Sequence, residues 1–381
     1  MESQEQFSLF DVKPKQPSSD KQRVNILALS LVRGIGESSI KTLIRKYHNL
    51  DTVWDAPSDE LLTVLSSGGL RVIDPVVEQI LRNRLKLIRE AEGLLEEFHR
   101  QKITLITDLD DSFPNRLRKI SDPPRWLFVE GDVNILSIPN LAAVVGTRNA
   151  SANGIRRARD LTRWLAGKGF GIVSGLAEGI DQVAHETAID YGVTTIAVLG
   201  TGISMAFPST TAHIRRQIVE LNGAIITEYL PKESYSRDRF VRRNRIQAGL
   251  AFATVPVEGQ PNGGTAHTYR FAKEFGRVTF GVISTSYPSQ NGILELLKRD
   301  GQPIFDLDLP ASMNQLEKLL SPVIPDTLPS RVATPVFASV LREFERIMKS
   351  HPVSFDDFNR LKMQMKEIWE KIRHDNQGSN L

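Results

Sequence analysis

Residues 141–200 read LAAVVGTRNASANGIRRARDLTRWLAGKGFGIVSGLAEGIDQVAHETAIDYGVTTIAVLG, and their pattern sets the architecture. Three short apolar runs, LAAVVG (141–146), GIVSG (171–175) and TTIAVLG (194–200), alternate with two longer amphipathic stretches, 153–168 and 181–191. A short run that is apolar on both of its faces is a strand with no solvent side, and such strands belong to parallel sheets covered by helices. The alternation continues downstream: helix 209–222, strand AIITE (224–228), a basic helix near 241–250, strand ATVPVE (253–258), helix 265–275, strand RVTFGV (277–282) and helix 292–299. The expectation is an α/β protein, an extended Rossmann-like, doubly wound parallel sheet of six or seven strands.

The rest of the chain is arranged around that sheet. Residues 22–100 carry apolar positions at helical spacing and predict a small all-α N-terminal domain, broken at Gly34-Ile35-Gly36. Residues 1–21 read as a flexible tail. Residues 101–140 look like a connector ending in the apolar run Trp126 to Val129, so the Rossmann-like unit is placed at 101–308. A proline-spaced linker at 309–335 precedes a helical C-terminal segment at 336–381. A length of 381 residues suits two or three domains, and 40% hydrophobic with 24% charged residues is a globular balance. The absence of cysteine excludes disulfides, thiolate metal sites and cysteine nucleophiles. No apolar run of about 18 residues is present and the N-terminal residues lack a secretory pattern, so a cytoplasmic protein without a membrane partner is expected.

Function is read at the carboxyl ends of the strands, where open parallel sheets bind ligands. Strand one runs into Gly146-Thr147-Arg148-Asn149-Ala150-Ser151, strand two into Ser174-Gly175, strand three into Gly200-Thr201-Gly202, and the strand ending at Glu258 into Gly263-Gly264-Thr265. Glycine and hydroxyl residues opening a helix let backbone N–H groups converge on an anion, so these turns form a row of candidate phosphate cradles. The first turn is not GxGxxG, no acidic residue closes the second strand, and no GxxxxGK[ST] occurs; the dinucleotide and Walker fingerprints are absent.

Net charge is only +3, but Lys232 to Gln247 and Ser151 to Phe170 each carry a local +4. Within the first of these, Arg237-Asp238-Arg239-Phe240-Val241-Arg242-Arg243-Asn244-Arg245 places five arginines around one aromatic. Guanidinium groups for phosphates and a ring for a base are what unpaired nucleic acid requires. The opposing reading has Phe240 packed inward and some arginines paired with carboxylates, and the residues alone weigh these evenly.

GTRNASANG, SGLAEGIDQVAH, TIAVLGTG, FVRRNRIQAGL, Glu258 and NGGTAHT, in this order, resemble the DNA-processing protein A family (DprA, also called Smf). The resemblance implies a homodimeric, non-catalytic protein that binds single-stranded DNA and helps load the RecA recombinase in natural transformation (competence). It places DNA contacts at Arg148, Arg237, Phe240, Arg243, Asn244, Ser174, Gly175, Gly263 and Gly264; the local pattern adds Ser151, Arg242 and Arg245. No catalytic group, metal or cofactor is expected. The alternative is a nucleotide-ligand sensor or nucleotide hydrolase with Glu258 as base. Departures from the family pattern are Glu178, where a small or basic residue is usual, Ile203-Ser204, Phe207 and Gly263-Gly264-Thr265; the C-terminal helices do not resemble its winged helix.

Other motifs carry two readings each. Asp181 and His185, four apart on one helix, suit acid–base chemistry or metal binding, but capping and packing is favoured. Gly34-Ile35-Gly36 is either a helix–hairpin–helix holding a DNA phosphate or a tight turn. Gln6-Phe7-Ser8-Leu9-Phe10 is similar to the peptide by which bacterial proteins dock on the DNA-polymerase sliding clamp, making the clamp a candidate partner; the other reading folds these apolar residues onto the helical domain.

Overall fold

The computed structural model describes residues 19–321 except 206, 289 and 290. The tail motif Gln6 to Phe10 and the helical segment at 336–381 lie outside them. The helical region contains α1 (Ser19–Ser30), α2 (Glu37–Tyr47), α3 (Ser58–Ser67) and the long α4 (Asp74–Arg100). α4 starts at Asp74-Pro75 and ends in His99-Arg100, with acid and base placed to complement the helix dipole.

β1 (Ile103–Thr107), α5 (Asn115–Arg118) and β2 (Trp126–Gly131) follow, then β3 (Leu141–Gly146), α6 (Ala152–Gly167), β4 (Gly171–Ser174), α7 (Ile180–Asp190), β5 (Thr195–Val198), α8 (Ala212–Glu220), β6 (Ala224–Thr227), α9 (Arg237–Leu250), β7 (Ala253–Glu258), α10 (Gly264–Glu274) and β8 (Val278–Thr279). The chain continues as β9 (Gly281–Ile283), α11 (Gly292–Arg299), β10 (Ile304–Asp306) and α12 (Pro310–Leu320). The main sheet has eight strands in the order β1-β2-β6-β5-β4-β3-β7-β8. From β6 to β8 neighbours are parallel, whereas β2 runs antiparallel to both β1 and β6.

Three expectations change here. The connector contributes two strands, because Ile103, Leu105 and Ile106 are buried in the cores on the two faces of the sheet. The run 277–282 is split, since β9 leaves the main sheet to pair with β10. Residues 310–320, assigned to a linker, form a helix with Pro310 in its first turn, where a missing N–H costs nothing.

Successive strand residues serve opposite faces. Trp126, Phe128, Ala197, Leu199 and Ile225 join Ile214 and Ile218 of α8 and the buried residues of α1–α4 in one core. Leu127, Val129, Ile196, Val198 and Ile226 join Ile246 and Leu250 of α9 in another. The N-terminal helices therefore complete one apolar face of the sheet. The chain winds from β3 through β6 in one direction and returns to β7 on the other side of β3, so the switch point lies between β3 and β7.

Candidate nucleic-acid interface

A cleft of about 320 Å³ opens at the carboxyl end of the sheet, with Arg148, Glu178, Phe207, Thr210 and Phe240 in its walls. Arg148 follows β3, Glu178 lies between β4 and α7, and Phe240 occupies the first turn of α9. Three rings cluster here. Phe207 and Phe240 meet edge to face at 5.9 Å, and Tyr235 lies 5.1 Å from the first and 4.9 Å from the second. Phe207 is 38% and Tyr235 46% exposed, so part of this apolar surface meets solvent among the described residues.

Two guanidinium groups flank the Phe240 ring, Arg148 at 5.0 Å and Arg243 at 5.1 Å from its centre. The ring lies against the backbone at Gly200, where a Cβ would stand 2.6 Å from it. Gly200 thus serves close packing of the aromatic rather than a phosphate.

The arginines of α9 divide sharply by environment. Arg237, the first residue of the helix, is exposed at its open N-terminal end. Arg242 is half-buried and reaches Asp122 at 3.4 Å and Glu37 at 3.7 Å. Arg243, 4% exposed, donates to the carbonyls of Gly175 (2.8 Å) and Val198. Burial lowers its pKa to about 10. Arg245, 2% exposed, forms a two-pronged pair with Glu228, one arm at 2.7 Å, and donates to the Asp122 carbonyl at 2.8 Å. The sequence expects these donors to meet phosphate; here they are spent on a buried carboxylate and a backbone carbonyl. Arg243 likewise supports the Phe240 ring from below instead of meeting solvent.

Glu228 is fully buried and also accepts from Lys41 Nζ of α2 at 2.6 Å. Burial alone would raise its pKa, but Lys41 and Arg245 outweigh it and hold the carboxyl at about 2. Glu37 pairs with Lys41 as well. This hub fastens the helical layer to the helix that carries Phe240.

Several expected cradle residues belong to the framework. Ser174 is buried and donates to the Val144 carbonyl at 2.7 Å. The Gly175 N–H donates to Asp181 Oδ2 at 3.1 Å, and a Cβ there would collide with the Arg243 guanidinium. Ser151 caps α6 by accepting from the Gly154 N–H (3.0 Å) while its own N–H and hydroxyl donate to Glu258 at 3.1 and 2.9 Å. Glu258 is also 3.5 Å from the buried Arg157, so its carboxylate caps a loop. Asn244 donates to the Gly264 carbonyl at 3.1 Å, tying α9 to α10. Gly263 and Gly264 remain partly open at the start of α10, and a Cβ on Gly264 would meet nothing within 4 Å.

Asp181 and His185 are both buried. Burial raises the Asp181 pKa and, with Arg243, lowers that of His185 to about 3, and His185 Nδ1 lies 2.7 Å from Thr195 Oγ1. They pack under the cleft. Among the described residues no cluster of three or more His, Asp or Glu is arranged around a metal position, and no helix is long and apolar enough to cross a membrane. At the Gly34-Ile35-Gly36 turn, the Glu233 carboxylate lies close by: a Cβ on Gly36 would stand 3.8 Å from its Oε1. An internal carboxylate thus sits beside the turn read as a phosphate site.

A sequence profile described as DNA recombination-mediator protein A matches residues 104–309. The chain is also 33% identical over 283 residues to protein Smf of Synechocystis, covering 73% of this chain and 69% of that protein. The chain belongs to the DNA recombination-mediator protein A family. DNA processing protein DprA of Bacillus subtilis is 29% identical over 63% of this chain and 84% of its own. The structure of DNA processing protein A from Streptococcus pneumoniae matches with a TM-score of 0.57 at 27% identity, covering 74% of this chain and 94% of that one. The Helicobacter pylori protein, whose structure is described for its single-stranded DNA binding mode, matches with a TM-score of 0.50 over 58% of this chain and 97% of that one; at 24% identity it shows the shared fold. The family read from the motif order is thereby shown, and Tyr235 is a member of the aromatic cluster that the motifs do not flag.

Proposed function

We propose that the cleft beside Phe240 binds unpaired DNA and that the protein acts in recombination as a mediator without a chemical step. The observation that carries this reading is the cluster of exposed Phe207 and Tyr235 with half-buried Phe240, Arg148 lying over the Phe240 ring. Base stacking on an aromatic contributes about 1–3 kcal/mol per base and is indifferent to sequence, while arginine supplies the salt-dependent phosphate term. Arg148 and Arg237 are the phosphate ligands in this reading, with the Gly264 N–H at the start of α10 continuing the path of the strand; the Gly263 N–H is held by the Gln260 carbonyl at 3.0 Å. A homodimer in the cytoplasm that passes its strand to the RecA recombinase, as in natural transformation, completes the proposal.

The rival reading, nucleotide hydrolysis with Glu258 as base, requires a carboxylate free to take a proton. Here that carboxylate accepts two bonds from Ser151 and faces Arg157, which favours the DNA reading. Titration of a thymidine oligomer with wild type, Phe240→Ala and Arg148→Ala tests it. Both variants are expected to bind more weakly, Phe240→Ala by about 1–3 kcal/mol; unchanged binding by both would reject the cleft.

A further inference from the structure

One cleft residue runs against the electrostatics of a phosphate site. Glu178 is exposed in the wall of the cleft that Phe240 and Arg148 also line. Its Oε1 accepts from the Thr210 hydroxyl at 2.7 Å, which fixes the carboxylate beside the aromatic cluster. Among the described residues no lysine or arginine pairs with it, although Arg148 shares the same cleft. An unneutralised carboxylate repels a phosphodiester chain, so this group opposes affinity unless it meets hydrogen-bond donors.

The bases supply such donors. A carboxylate only accepts, and an unstacked base in a single strand offers its Watson–Crick edge for reading. Guanine presents two adjacent donors, N1–H and N2–H, spaced to meet the two oxygens of a carboxylate. Cytosine and adenine offer one amino donor beside an acceptor nitrogen. Thymine offers one N–H between two carbonyls, the edge least suited to an anion. The cleft volume of about 320 Å³ is at the small end for ligand sites and suits one base with its sugar rather than a length of strand.

We propose that Glu178 is a base-reading residue, accepting from N1–H and N2–H of a guanine held in the cleft and giving the protein a preference for guanine over thymine at one position of the strand. This rests on the reading that the cleft takes unpaired DNA. Thr210 acts as the positioning residue, its hydroxyl donating to Glu178 Oε1.

The test compares an all-thymidine oligomer with the same oligomer carrying one central guanine, cytosine or adenine, using wild type, Glu178→Ala and Phe240→Ala. Wild type is expected to bind the guanine oligomer at least about fivefold more tightly than all-thymidine, with cytosine and adenine between. Glu178→Ala is expected to lose that difference while binding all-thymidine more tightly than wild type. Equal binding of all four oligomers by wild type, with Phe240→Ala still weakened, would overturn base reading and leave the cleft in place. Equal binding by wild type and Phe240→Ala would overturn both.

Discussion

The two ends of α9 use one residue type for opposite purposes. At the outer end Arg237 faces solvent one turn before Phe240, and Arg148 approaches the ring from the neighbouring loop. Two turns further in, Arg245 is enclosed with Glu228 and Lys41, and Arg243 is bound to backbone carbonyls. An arginine's charge is constant along this helix; what differs is whether an internal acceptor lies within reach. Local charge therefore overstates the number of groups available to a polyanion, since Arg243 and Arg245 of the motif are buried.

The largest effect expected from this contrast is on folding. Arg245→Ala leaves Glu228 without one of its two cationic partners, and breaking a buried pair from one side typically costs about 3–5 kcal/mol. Urea unfolding of the variant should show that loss; a midpoint equal to wild type would mean that the inner end holds nothing. Acid probes the same interior. Glu228 is held at about 2 and titrates near 4.5 when unfolded, so the stability it contributes is complete above 4.5 and lost as pH falls toward 2. His185, lowered to about 3 from 6.5, is neutral in the fold, and the unfolded chain takes up its proton first as pH drops below 6.5. Urea midpoints should thus begin to fall as pH drops below 6.5, before the Glu228 range is reached, and His185→Gln should flatten that upper part of the slope.

Smaller effects belong to the outer end. Tyr235→Ala removes an exposed ring and should weaken thymidine-oligomer binding by about 1 kcal/mol with little change in the urea midpoint. Arg148→Ala should reduce the slope of log K against log salt by roughly 0.7, the value for one phosphate contact on a single strand. An unchanged slope would place Arg148 as a packing partner of Phe240 alone.

Much of the fold is legible in the sequence because its signals are local. The apolar runs from Leu141 to Val282 announce a covered parallel sheet, and the motif order around them marks the family. What the pattern does not carry is non-local. β1 and β2 run antiparallel outside the βαβ repeat, and β2 is placed by pairing with residues far along the chain, as in Phe128 with Thr227. Arg245 reads as a phosphate ligand in the sequence because its partners, Glu228 and Lys41, sit on other elements. Tyr235 stands alone among polar residues, and only the folded chain brings it to Phe207 and Phe240. Phe207 stands out in the sequence only as a departure from the family pattern.

The proposed contact, a base against the aromatic cluster at the carboxyl end of the sheet, can be tested covalently. Photo-crosslinking with a thymidine oligomer carrying a single 5-iodouracil, followed by peptide mapping, reads the contact residue by residue. Crosslinks are expected at Phe207, Tyr235 or Phe240. Crosslinks confined to the separate pocket around Pro114 to Arg116 and Ser137 to Pro139 would place the strand elsewhere and overturn the assignment.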